Sequence, residues 1–183
     1  NDLMNKLFDN LDVIHNVKSR EIKGSSSIGV AYCHQNNLVL NSKQILKNAD
    51  IAMYESKRLG KNRISYFNKD MAELYDKVTL IKSLLRQEKW KNELTINYQP
   101  KYKKGENTIA GFEALIRWNN EELGYISPED FIPEAEITGT INEIGSWVIE
   151  ESCRQLVILK EDFGFNGNVS VNISPVQIRN ENF

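Results

Sequence analysis

Cysteine and histidine are nearly absent, with two of each in 183 residues. Cys33 and Cys153 lie far apart and neither belongs to a Cys-x-x-Cys pair. That excludes a disulfide framework and a thiolate zinc site, and the pair reads as buried thiols of a reducing, cytoplasmic compartment. His15 and His34 have no carboxylate or cysteine pattern around them, so neither marks a site. No stretch approaches the ~18–20 apolar residues of a membrane-spanning helix, and the N-terminus lacks the basic-then-apolar signal pattern. Charge of one sign is also missing. The 23 Lys and Arg nearly balance 25 Asp and Glu, for a net charge of −2. Chain-wide attraction to a nucleic-acid polymer or an anionic membrane is therefore not expected. There is no internal repeat and no low-complexity tract.

What remains is an ordinary globular composition, 40% apolar and 26% charged. The length suits one domain or two partial ones. Both ends read as cut: Asn1 opens inside an apolar-periodic stretch with no initiator Met, and the chain stops soon after a new element begins at Pro175.

Leu3, Leu7, Leu11 and Ile14 recur at helical spacing and predict an amphipathic helix. Ser26 to Tyr32 is short, apolar and β-prone, which predicts a strand. Ser42 can cap a helix with a buried stripe of Ile45, Ala49, Ala52 and Met53 and a stop at Gly60. Ile64 to Phe67 predicts a closing strand. From Asn68 to Trp90, Met71, Leu74, Val78, Ile81 and Leu85 form a short heptad seam. Such a helix either lies on a domain or dimerises. The best boundary falls at Phe67 and Asn68.

Beyond it the pattern changes. Leu94 to Tyr102 and Thr108 to Trp118 read as extended runs. Ser127-Pro128-Glu129-Asp130 is a helix start, with Ser as cap and Pro in first position. Ile141, Ile144, Val148, Ser152, Leu156 and Leu159 stripe a long helix, and Val169 to Ser174 predicts a further strand. The order is α/β and fits part of a (β/α) barrel with parallel strands.

Period two on the second run puts Glu113, Leu115 and Arg117 on one face and Ala114, Ile116 and Trp118 on the other. An acid and a base on one side of an apolar strand are costly to bury unless paired or bound to a cation. In Val169 to Ser174 the polar face is Ser170, Asn172 and Ser174. Gln99, before Pro100, adds another polar strand-end residue. Oxygen donors of this kind suit a hard cation and not zinc. A Glu113–Arg117 ion pair, and an Asn172 that merely bonds a loop, are equally compatible with the spacing.

The runs YQP at 98–100, GFEALIRW at 111–118, GYISPEDFIPEAE at 124–136, IGSWVIEESCRQ at 144–155 and VSVNISPVQ at 169–177 keep one order and register. Residues 93–183 thereby resemble the front half of the EAL phosphodiesterase family. The resemblance implies a (β/α) barrel that binds cyclic-di-GMP and cleaves it to linear pGpG with Mg2+ or Mn2+. It implies Glu113 as a catalytic metal ligand, Asn172 as a second ligand, Gln99 and Arg117 as contacts to the dinucleotide, with Arg117 against a phosphate, and Leu115 under a guanine. The family's remaining acidic ligands and its lysine fall on later strands.

SSSIGVAY at 25–32 and ILKNADIAMYESKRLGKNRISYF at 45–67 resemble the end of a GGDEF, or diguanylate cyclase, domain. Here the resemblance implies that Lys57 and Lys61 face a GTP triphosphate. A solvated basic face is the other reading of KRLGKNR. The expected organisation is the C-terminal portion of a GGDEF domain at 1–67, a linker helix at 68–92 and the N-terminal portion of an EAL domain at 93–183. A homodimer through the linker helix or the EAL domain is the expected self-association. The rival functions are a non-catalytic cyclic-di-GMP receptor and a cyclase-dominant enzyme.

Overall fold

The structure is a computed structural model that describes residues 2–11, 14–17, 20–32 and 42–181. Cys33 and His34 lie outside the described residues. The chain divides into two units, residues 1–77 and 78–183. Among the described residues no helix is long and apolar enough to cross a membrane.

The first unit opens with α1 (Asp2–Leu11), followed by an antiparallel hairpin of β1 (Ile14–Val17) and β2 (Arg20–Lys23). Ile14, which the spacing assigned to the helix, begins a strand instead. The hairpin is a pairing that these polar segments do not announce. β3 (Ser27–Val30) and β4 (Arg63–Tyr66) pair in parallel. Parallel neighbours need a long crossover, and α2 (Ser42–Arg58) supplies it. Its buried side is Asn48, Ile51, Ala52, Glu55 and Ser56, rotated from the apolar stripe read in the sequence. The polar members are buried because they are satisfied. Ser56 donates its hydroxyl to the Ile28 carbonyl at 2.9 Å and lies 2.8 Å from the Ser65 hydroxyl. The Arg58 fork donates twice to Glu55, at 2.7 and 2.8 Å, and holds that carboxyl below the usual carboxylate range.

α3 (Lys69–Arg86) is divided between the two units. In the second unit Ile81 and Leu85, two of the five seam residues, are 0% and 1% exposed and belong to that unit's own core. A turn of 3-10 helix at Lys89–Asn92 buries Trp90 and leads into β5 (Leu94–Tyr102). Then follow β6 (Ile109–Asn120), β7 (Gly124–Ile126), α4 (Pro128–Thr138), α5 (Ile141–Phe163), β8 (Asn168–Val171) and α6 (Pro175–Ile178). β6 is the organising strand. It pairs antiparallel with β5 along one edge, and its other edge is shared between β8, in parallel, and β7, antiparallel. The first pairing is therefore a hairpin, and the parallel barrel step begins with β6 and β8, joined through α4 and α5.

One face of β6 carries the core. Trp118 and Phe131 are both fully buried and meet edge to face with ring centroids 5.2 Å apart. Each large side chain buried here contributes on the order of 1.5–3 kcal/mol. The start of α4 is as the sequence indicates: Ser127 accepts from the Glu129 amide and Pro128 takes the first turn. Cys153 departs from expectation. It is exposed on α5, because the helix turns Ser152 inward at that level.

α5 packs against α6 at Gly145. A Cβ there would run into the side chain of Gln177, which is 2% exposed and accepts from the Ser174 amide at 3.1 Å. Gln177 cannot move aside without losing that bond. Gly145→Ala is expected to destabilise the second unit by about 1–3 kcal/mol, read as a lowered midpoint in thermal unfolding; an unchanged midpoint would mean that the contact is slack.

Candidate functional site

The site face is the side of the β5–β6–β8 sheet opposite Trp118. Register places Gln99 beside Glu113 and Glu113 beside Ser170, so one row crosses three strands. The next rows along β6 pair Asn97 with Leu115 and Thr95 with Arg117. Directly paired residues on neighbouring strands project to the same face. Asn172 stands just past the end of β8 and donates its Nδ2 hydrogen to Glu113 Oε1 at 2.9 Å. The structure thus brings Glu113, Gln99 and Asn172 together, with Leu115 and Arg117 further along the same strand. No ion pair joins Glu113 and Arg117 among the described residues; Arg117 donates to the Ile116 carbonyl at 2.8 Å.

A cavity of about 120 Å³ is bounded by residues of both faces of β6, Ala114 and Ile116 as well as Leu115 and Arg117, by Pro128 and Ile132 of α4, by Ile144 and Val148 of α5, and by Asn172. Its lining is mostly apolar, with Arg117, Asn172 and Gln177 as the polar members. The donor chemistry of the neighbouring pair fits a hard divalent cation: one carboxylate and one amide, already in contact, Glu113 half-buried and Asn172 exposed. Among the described residues no three His, Cys, Asp or Glu gather into a metal cluster.

Lys57 and Lys61 do not share a helix. α2 ends at Arg58, and Lys61 follows Gly60 in a turn with φ of 62°. Lys57 sits at the end of the helix and Lys61 in the left-handed turn beyond it, where the Lys61 amide bonds the Ser56 carbonyl at 3.0 Å. Both side chains are exposed.

The EAL domain family matches residues 83–183. This chain belongs to the EAL domain family. The family described as "Diguanylate cyclase, GGDEF domain" matches residues 1–63. The bifunctional diguanylate cyclase/cyclic di-GMP phosphodiesterase MucR of Pseudomonas aeruginosa is 34% identical over 176 residues, which is 96% of this chain and 25% of that protein. The cyclic di-GMP phosphodiesterase PdeR of Escherichia coli is 35% identical over 162 residues, 88% of this chain and 24% of that protein. The chain therefore spans about a quarter of these relatives. The solved MucR phosphodiesterase in complex with c-di-GMP superposes with a TM-score of 0.52 at 36% identity, over 56% of this chain and 41% of that one.

Several bonds that hold this EAL face were not singled out in the sequence. Glu93 accepts from the Trp118 indole at 2.7 Å and from the Asn120 amide at 3.0 and 3.1 Å, which ties the start of β5 to the end of β6. Ser174 donates to Glu136 at 2.6 Å while its oxygen accepts from the Val176 amide at 3.0 Å. That residue closes α6 with a capping box and links it to α4. Lys101 donates to Ser170 at 2.7 Å. The capping pattern Ser174-x-x-Gln177 and the period-two step from Gln99 to Lys101 were available signals; the distant partners were not.

Ser174→Ala removes the cap and the α4 link together and is expected to cost about 1–2 kcal/mol. Ser174→Thr should recover most of it in urea denaturation. Equal losses from both variants would show that the hydroxyl is not what holds α6.

Proposed function

We propose that the full-length protein that carries this chain turns over cyclic-di-GMP, its EAL domain hydrolysing one phosphodiester bond to give linear pGpG with Mg2+ or Mn2+. The contact between Glu113 and Asn172, on the face of the β6–β8 step opposite Trp118, carries this reading. Relatives bearing phosphodiesterase names and the c-di-GMP complex of MucR support it.

In this reading Glu113 and Asn172 would hold the cation. When bound, the ion supplies Lewis acidity and lowers the pKa of water enough for attack near neutral pH. The remaining roles fall to the chain's own groups. The Arg117 fork suits a phosphate, being planar, always charged and bidentate. Leu115 offers an apolar surface to a guanine, and Gln99 an amide to the dinucleotide. Water adds to phosphorus, one P–O bond to a ribose 3′ oxygen breaks, and that oxygen leaves as a hydroxyl. Two oxygen donors are few for such a cation, so turnover needs further ligands, and residues 1–183 alone should be inactive.

The first unit adds a second reading, because its match is to a cyclase domain. Lys57 and Lys61 are its candidate contacts to the phosphates of GTP. Production of cyclic-di-GMP from GTP by the full-length protein would favour the cyclase; ligand binding without turnover would favour a receptor. Self-association through the EAL unit belongs to the same proposal.

Glu113→Gln keeps the shape of the side chain and removes its charge. In the full-length protein it should lower the rate of pGpG formation, followed by chromatography, more than ~100-fold, since even groups one shell further out cost 10–100-fold. Undiminished turnover by this variant would remove Glu113 from the metal site.

A further inference from the structure

The bond from Lys101 to Ser170 joins strands that are not neighbours. β6 lies between β5 and β8, and two strand spacings amount to roughly 9–10 Å. Lys101 is paired with Gly111, and Ser170 with Glu113. The lysine side chain therefore crosses β6 between the rows of Gly111 and Glu113 and ends in the row of Glu113. The crossing is open because position 111 has no side chain. A Cβ on Gly111 would also run into the Asn168 side chain and backbone of β8.

β8 needs such a tie. It is four residues long and its paired positions with β6 run only from Asn168 to Val171. Asn172 is the next residue, already off the ladder. Its position relative to Glu113 depends on where β8 sits, and the Lys101 bond fixes β8 from the far side of the sheet.

We infer that Lys101 is a positioning residue of the EAL metal site: through Ser170 it sets β8 in place so that Asn172 and Glu113 present their oxygens to one cation. This rests on the metal-site reading above. The ammonium itself is a poor neighbour for a cation, because like charges repel. Its worth lies in the tether, and the two effects have opposite signs.

In the full-length protein, Mn2+ affinity is measured by the loss of the free-ion paramagnetic resonance signal, without substrate. Ser170→Ala keeps the lysine charge and cuts the tether, and should weaken Mn2+ binding about 10-fold, the lower end for groups that orient metal ligands. Ser170→Thr should stay within about twofold of the parent, since its hydroxyl can still accept the bond. Lys101→Met should weaken binding in the same direction. At saturating Mn2+ the KM for cyclic-di-GMP should stay unchanged in all three. Two results would overturn the inference: Mn2+ affinity within twofold of the parent in Ser170→Ala, or tighter binding in Lys101→Met, which would show that the site feels the charge and not the tether. A raised KM in Lys101→Met alone would make the lysine a substrate contact instead. Glu113→Gln separates this from the reading beneath it: if that variant binds Mn2+ as the parent does, the metal site itself is misplaced, whatever Lys101 does.

Discussion

Every candidate site residue of the second unit depends on the register of β6 against β5 and β8. Glu113 meets Gln99 on one side and Ser170 on the other, and a shift of one residue on any strand would send its polar set to the core face. The register is held from the buried side. Trp118 and Phe131 pack edge to face, and the Trp118 indole donates to Glu93 at the foot of β5. The apolar face thus fixes where the strand lies, and the polar face inherits its geometry.

The same strand joins two kinds of pairing. A six-residue connection, 103–108, can join only antiparallel strands, so β5 and β6 form a hairpin. β8 arrives in parallel only after α4 and α5 have crossed over. Its short ladder is supplemented by side chains on both flanks: Lys101 reaches Ser170 from β5, and Ser174 reaches Glu136 on α4. Asn172 sits between these two ties, free of the ladder yet bracketed by fixed neighbours.

The two faces of β6 were legible because its alternation is clean: Ala114 and Trp118 are buried, while Glu113, Leu115 and Arg117 lie opposite them. The cap of α4 was legible because a Ser-Pro start has a local mechanism. Strand direction was not, since alternation carries no sense of direction, although the short connection could have supplied it. The predicted strand through Ser174 ends at Val171 because Ser174 leaves the ladder to cap α6. In α2 the apolar stripe misjudged the buried side, because Ser56 and Glu55 find partners there that only the fold brings near. Lys101 is the same lesson at the site: its face follows from period two, but a partner two strands away lies beyond any local pattern.

We propose that Glu113 and Asn172 share one cation on the face of the sheet opposite Trp118. Crystals of the full-length protein grown with Mn2+ and measured at the manganese edge address it directly. The account predicts an anomalous peak within coordination distance of a Glu113 carboxylate oxygen and of Asn172 Oδ1 together. A manganese peak bound elsewhere, in a protein that cleaves cyclic-di-GMP, would contradict it.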